Sequence, residues 1–239
     1  MKIGIIGAME PEVAILKDAI ANRQTHQYGG YTFYCGQIEQ MDVVLVQSGI
    51  GKVAAAIATT LMITHFSPDG IINTGSAGGF DQALEVGDVV ISSQLRHHDV
   101  DVTAFNYEIG QVPNMPAAFI ANRTLMDAAE KSVQQLGDVK VKTGLITTGD
   151  TFMCDPQAIN KTRENFPTMM AVEMEGAAIA QTCYQLNTPF VVIRSLSDIA
   201  GKESPTSFEA YLEKASIYSS KMVMALLGNL QGQTLSQDQ

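Results

Sequence analysis

Ala171-Val172-Glu173-Met174-Glu175-Gly176-Ala177-Ala178 is the stretch on which the fold turns. Met169-Met170 precede it and Ile179-Ala180 follow, so two carboxylates interrupt a run of apolar or very small residues. The part up to Glu173 reads as a short buried strand, and Gly176 to Leu186 reads as a helix. A strand that passes straight into a helix is the joint of an alternating α/β chain. A carboxylate in such surroundings is costly unless something pairs with it. On one strand Glu173 and Glu175 would share a face; if the strand ends between them, they point differently and take different tasks.

The same alternation extends outward in both directions. Residues 2–9 are a β-branched apolar run, read as a buried strand, and Glu10-Pro11-Glu12 opens a helix with proline where a missing N–H is harmless. Gly29-Gly30 marks a turn, and Tyr31–Ile38 with Asp42–Gln47 reads as a hairpin around Glu39-Gln40. A helix is expected from Val53 to Phe66. Strands are expected at Asp69–Asn73, Val86–Ser92, Lys140–Thr147 and Pro189–Ser195. Asp99–Pro116 looks irregular, Asn122 caps a helix, Asp155-Pro156 opens another, and Phe208 to Leu230 is a long last helix. This pattern predicts an α/β fold with a largely parallel sheet, one domain over 1–230 and a polar, disordered tail at 231–239.

Charge and cysteine usage narrow the partners. Of 239 residues, 46% are hydrophobic and 17% charged, an ordinary globular balance. A net charge of −10 argues against nucleic acid and anionic membranes as partners. The arginines are Arg23, Arg96, Arg123, Arg163 and Arg194, too scattered for a polyanion clamp. Cys35, Cys154 and Cys183 are far apart, which fits a reducing compartment rather than a disulfide framework or a zinc site. The first apolar run is too short and too soon acidic for a secretory leader, and none reaches the roughly 18 residues of a membrane span. A cytoplasmic location without metal or cofactor is expected.

Several motifs need weighing. Gly4-Ile5-Ile6-Gly7-Ala8-Met9 departs from the dinucleotide fingerprint, and acidic Glu10 and Glu12 would repel a pyrophosphate. Gly51-Lys52 lacks the rest of a phosphate loop, so Lys52 reads as a surface residue at a helix start. His97-His98-Asp99-Val100-Asp101 reads as a solvated strand end, because adjacent histidines on an extended chain point apart. Gly75-Ser76-Ala77-Gly78-Gly79 is either a tight turn or a place where a ligand approaches the backbone. Asp198 is either a helix cap or a functional acid.

Ligand sites in such sheets lie beyond the carboxyl ends of strands. Chain order places Glu12, Ser76, Glu175 and Asp198 at such ends, around one cavity. Carboxylates without metal ligands or a phosphate clamp suit acid/base chemistry on an uncharged substrate, and glycosidic cleavage uses carboxylates in pairs.

These stretches together resemble one family. Lys2–Val13 (KIGIIGAMEPEV), Gln47–Ala56 (QSGIGKVAAA), Ile72–Gly79 (INTGSAGG), His97–Phe105 (HHDVDVTAF), Thr148–Phe152 (TGDTF), Ala171–Gln181 (AVEMEGAAIAQ) and Val191–Asp198 (VVIRSLSD) carry it. The chain is similar to the bacterial 5′-methylthioadenosine/S-adenosylhomocysteine nucleosidases, within the nucleoside phosphorylase family. The resemblance implies a three-layer α/β/α sandwich with a mixed, largely parallel central sheet, working as a homodimer. It implies irreversible hydrolysis of the N9–C1′ bond of both adenosine thioethers, releasing adenine, with 5′-deoxyadenosine as a further substrate.

By the same resemblance, Asp198, with Ser197 beside it, is the general acid at adenine N7, and Glu12 holds the water that attacks C1′. Glu175 binds the ribose hydroxyls and Met174 packs on the sugar. Phe152 stacks on adenine and the Met153 backbone reads its edge. Ser76 and Gly78 line the sugar and water side, Met9 and Ile50 belong to the binding pocket, and Phe208 covers the site. Val102, Phe105 and Pro113 of a neighbouring subunit close the 5′ pocket. Pro11 and Met153 stand where the family more often has an acidic and a branched aliphatic residue.

Two other functions compete. A phosphate-dependent phosphorylase calls for arginines at the glycine-rich loops, and none lies between residues 24 and 95. A non-catalytic adenosine-binding module would keep Phe152 and Glu175 without requiring Glu12 or Asp198. An acid at position 198 must also hold a proton that an ordinary aspartate, with a pKa of about 3.9, has lost at neutral pH.

Overall fold

β1 (Lys2–Gly7) is buried along almost its whole length, which is the mark of a central parallel strand covered on both faces. The computed structural model describes residues 1–137, 139–200 and 204–236, with the backbone alone over 204–209. After β1 come α1 (Glu10–Ala19), β2 (Ala21–Tyr28), β3 (Tyr31–Ile38), β4 (Met41–Gln47), α2 (Lys52–Phe66) and β5 (Gly70–Gly79). β6 (Val89–His97), β7 (Phe119–Ile120), α3 (Arg123–Leu136), β8 (Val141–Thr148) and α4 (Pro156–Asn165) follow. β9 (Met169–Glu173), α5 (Gly176–Gln185), β10 (Phe190–Ile199) and α6 (Ser204–Asn229) complete the chain.

The sheet is mixed. β1 runs parallel to β4 and β5, β5 parallel to β10, and β8 parallel to β6 and β9. β10 is antiparallel to β6, and β5 meets β9 antiparallel through Gly78 and Gly79. The strands β5-β10-β6-β8-β9 therefore close into a ring, and β1-β4-β3-β2 extend from β5. α2 and α5 pack together on one side, while α6 packs on α1 and α3 on the other, giving three layers.

Local chemistry sets most boundaries. Pro11 sits in the first turn of α1, and the Asn122 and Asp155 side chains accept the Leu125 and Ala158 N–H groups at 3.2 and 2.8 Å to cap α3 and α4. Glu39 and Gln40 both take positive φ, 49° and 62°, as a two-residue hairpin turn with right-handed twist requires.

Four expectations change. β2, with sequence ANRQTHQY, carries no apolar alternation; its strand exists because β3 offers an edge to pair with. β5 continues through Gly75–Gly79, which pair with β10 and β9 and form no loop. β10 runs on to Ile199 through a bulge between Leu196 and Asp198. The tail expected at 231–239 is docked as far as Ser236: Leu235 packs on the core and Asn122 Nδ2 donates to the Ser236 carbonyl at 2.8 Å.

Candidate active site

The turn after β1 brings Glu12 back over the strand end. Glu12 stands at the third position of α1, 1% exposed, and its Oε2 accepts the Ala8 and Met9 N–H groups at 2.8 and 3.0 Å. Its Oε1 accepts the Ser76 N–H at 3.0 Å and the Ser76 hydroxyl at 3.1 Å. Four donors from two strand ends thus fix one carboxylate. Both the Ser76 N–H and its hydroxyl are thus engaged by Glu12.

The quoted stretch 171–178 solves its own charge problem. β9 ends at Glu173, whose Oε2 accepts the Glu175 and Gly176 N–H groups at 2.9 and 2.7 Å, the start of α5. Glu173 also takes the Thr148 hydroxyl and pairs with the buried Arg194 guanidinium. Arg194, 1% exposed, donates Nη2 to Asn73 Oδ1 at 2.7 Å and to Glu175 Oε2 at 3.4 Å, and Nη1 to the Ser76 carbonyl at 3.3 Å. Burial opposes its charge, but Glu173, Glu175 and Glu12 hold its pKa above the ordinary arginine value. Gly75 has to be glycine here: a Cβ would lie 2.4 Å from Arg194 Nη1 and 2.7 Å from Glu12 Oε1.

Glu175 is the N-cap residue of α5, and its Oε1, turned from the shared Arg194, accepts the Gly51 N–H at 2.9 Å. Burial pushes its pKa up to about 7; Arg194 pulls it down, and Glu173 and Glu12 add to the rise. Asp198, 3% exposed, follows the β10 bulge, where it stands opposite Gly78 and its Oδ1 accepts the Ser197 hydroxyl at 3.0 Å.

These groups surround one cavity of about 370 Å³, within the roughly 300–1,000 Å³ of small-molecule sites. Of the expected residues, Met9, Glu12, Ile50, Ser76, Gly78, Phe152, Met153, Met174, Glu175, Ser197 and Asp198 line it. Ala8, Ala77, Thr151, Val172, Glu173 and Arg194 line it as well, and none of these was expected. The signal for Arg194 was an arginine inside the apolar strand Val191–Ser195, which folding had to pair with acid. Val102, Phe105 and Pro113 do not line this cavity; they lie on the 99–116 segment, where Phe105 is 75% exposed. The side chain of Phe208 lies outside the described residues.

Two bland assignments are corrected. Lys52 is not a free surface residue, since its ammonium contacts Asp99 Oδ1 at 2.7 Å. His97 is buried and His98 half-buried, not a solvated pair, and burial lowers the pKa of both. Among the described residues no group of three or more His, Cys, Asp or Glu is placed to hold a metal ion, and no helix is long and apolar enough to cross a membrane.

Comparison with known proteins agrees with the architecture. The profile of the Phosphorylase superfamily matches residues 2–228. A 5'-methylthioadenosine/S-adenosylhomocysteine nucleosidase of Pseudoalteromonas translucida is 69% identical over 96% of this chain and 98% of its own. The crystal structure of such a nucleosidase from Colwellia psychrerythraea, in complex with adenine, superimposes with a TM-score of 0.97 at 62% identity, covering 99% of this chain and 98% of that one. The Neisseria meningitidis protein in complex with methylthio-immucillin-A gives 0.94 at 45% identity, covering 96% and 99%. The chain therefore belongs to the phosphorylase superfamily, among its 5′-methylthioadenosine/S-adenosylhomocysteine nucleosidases.

Proposed function

We infer that the protein hydrolyses the N-glycosidic bond of 5′-methylthioadenosine and S-adenosylhomocysteine, giving adenine and the 5-substituted ribose. The observation that carries this is three buried carboxylates, Glu12, Glu175 and Asp198, around one largely apolar cavity. The N9–C1′ bond breaks as Asp198 delivers its proton to adenine N7, and a water oxygen bonds to C1′ as Glu12 takes its proton. Positive charge develops on the ribose between Glu12 and Glu175, in a setting where water is excluded and carboxylates act strongly. Glu175, once ionised, accepts hydrogen bonds from the ribose hydroxyls.

Phe152 and the Met153 backbone hold adenine, and Ser76, Gly78 and Met174 hold the sugar. Met9 and Ile50 give the cavity an apolar wall that requires no sulfur at the 5′ position, so 5′-deoxyadenosine is included as a substrate. Arg194 is already committed to Asn73, Glu173, Glu175 and Ser76, so among the described residues lining the cavity no uncommitted arginine is left to clamp a phosphate nucleophile. The three free cysteines accord with a cytoplasmic enzyme.

The functional unit is a homodimer in this reading. α2 is apolar on nearly all sides and exposes Val53 and Ile57, with Ile50 just before it. Val102, Phe105 and Pro113 then close the partner's 5′ pocket. The test is incubation of purified protein with methylthioadenosine in phosphate-free buffer. Adenine release is expected at full rate; release only on adding phosphate would overturn hydrolysis in favour of phosphorolysis.

A further inference from the structure

Gly51-Lys52 and His97-His98-Asp99 were left without a task by the sequence, and in the fold they meet. Lys52 Nζ donates to Asp99 Oδ1 at 2.7 Å, and Asp99 Oδ2 accepts the Asp150 N–H at 3.0 Å. Asp150 Oδ1 in turn accepts the Lys52 N–H at 2.8 Å. The start of α2, the segment after β6 and the segment after β8 are thereby joined in a closed circuit of hydrogen bonds. None of the three residues lines the cavity, but Thr151, next to Asp150, and Ile50, two residues before Lys52, do.

The circuit bears directly on Glu175. The residue before Lys52 is Gly51, whose N–H donates to Glu175 Oε1 at 2.9 Å. The first N–H groups of α2 are thus divided between Glu175 and Asp150. Gly51 holds φ at +96°, and a Cβ there would stand 3.0 Å from Asp150 Oδ1, so this backbone fits its place only as glycine. Successive peptide planes are linked through the φ and ψ of the residue between them, so a hydrogen bond on the Lys52 N–H narrows the orientations open to the Gly51 N–H.

We propose that Lys52, Asp99 and Asp150 are positioning residues for the reaction, forming a clamp that holds the Gly51 N–H on Glu175 and so aims this carboxylate at the ribose hydroxyls. The proposal rests on the assignment of Glu175 to the ribose. Around Glu175 stand the Arg194 guanidinium from β10, the Glu173 carboxylate from β9 and the Glu12 carboxylate from α1. Arg194 and the Gly51 N–H favour its anion, while both carboxylates and burial disfavour it. Loosening the clamp removes one of the two supports, so the anion forms only at higher pH. The titratable groups near Lys52 and Asp99 also include His97, buried, and His98, half-buried, both pushed towards the neutral form by burial.

The test measures kcat and KM for methylthioadenosine hydrolysis in Lys52→Met, Asp99→Asn, Lys52→Arg and Glu175→Gln, from about pH 5 to about pH 9, with thermal unfolding of each. Lys52→Met and Asp99→Asn are expected to raise KM about tenfold with kcat little changed, and to move the acid limb of kcat/KM upward. Lys52→Arg should restore both, and Glu175→Gln should abolish the limb. If folded Lys52→Met and Asp99→Asn keep the wild-type KM and limb while Glu175→Gln loses the limb, the clamp is overturned and the ribose assignment stands. If Glu175→Gln keeps the limb, the ribose assignment falls and takes the clamp with it. A lowered Tm with KM and limb unmoved would assign the circuit to folding alone and equally overturn the proposal. Should Asp99→Asn not fold, the half-buried Lys52 carries the same comparison.

Discussion

Asp198 owes its position to one extra residue in β10: the bulge between Leu196 and Asp198 shifts the alternation, and the carboxylate comes to stand opposite Gly78. Asp198→Asn is isosteric and keeps the Ser197 contact, yet has no proton to give. Its kcat should fall by about 10²–10⁴, as measured by adenine release, with adenine affinity little changed; unaltered kcat would remove Asp198 from the acid role. Glu175 gives a second prediction, with the opposite sign from an ordinary salt-bridged acid. Its folded pKa, raised to about 7 by burial, lies above the ordinary value of 4.5. Its contribution to stability is therefore complete below the unfolded pKa and is lost as pH rises through the folded one. Glu175→Gln escapes that loss and should be more stable than wild type at about pH 8.5, by up to about 3 kcal/mol, with the gain shrinking towards about pH 5. Urea unfolding at both pH values checks this; a gain independent of pH would contradict the linkage.

Arg194 turns a strand into a connector. It lies in the middle of β10 and reaches Asn73 and Ser76 on β5, Glu173 on β9 and Glu175 at the head of α5. Arg194→Met should cost about 3–5 kcal/mol, because Glu173 would be left buried without its counter-ion; a loss below about 1 kcal/mol in urea unfolding would mean that water or relaxation replaces the pair. This connector also marks the limit of what the sequence disclosed. β1, the hairpin of β3 and β4, α2, α3 and α5 were legible because period and caps act over a few residues. The partner of Glu173 was not, because it stands 21 residues away in the chain and is chosen by sheet register. β2 was hidden for a related reason: its residues are polar and exposed, and only the neighbouring strand makes it extended. Glu12, Glu175 and Asp198 were legible as acids at strand ends, whereas Glu173 and Arg194, which were given no place in the site, line the same cavity.

The molecule as described leaves Val53 70% and Ile57 45% exposed on α2, beside a loop that exposes Phe105. Val53→Glu and Ile57→Glu together should convert the proposed dimer to monomer in sedimentation equilibrium, with methylthioadenosine turnover falling as the 5′ pocket loses its cover. A species of unchanged mass would place the interface elsewhere. Within the chain itself, the ring β5-β10-β6-β8-β9 has a different consequence, one for motion. A strand in a closed ring has no edge from which to peel, so its amides exchange hydrogen only by rare cooperative opening. The ring is uneven, however: β5 and β9 are joined through just two residue pairs, Gly78 with Val172 and Gly79 with Ala171, while β5 and β10 share nine. Opening of the ring is expected to start at that short seam, which joins β5, paired with the backbone of the proposed acid, to β9, which carries Glu173 of the buried ion pair.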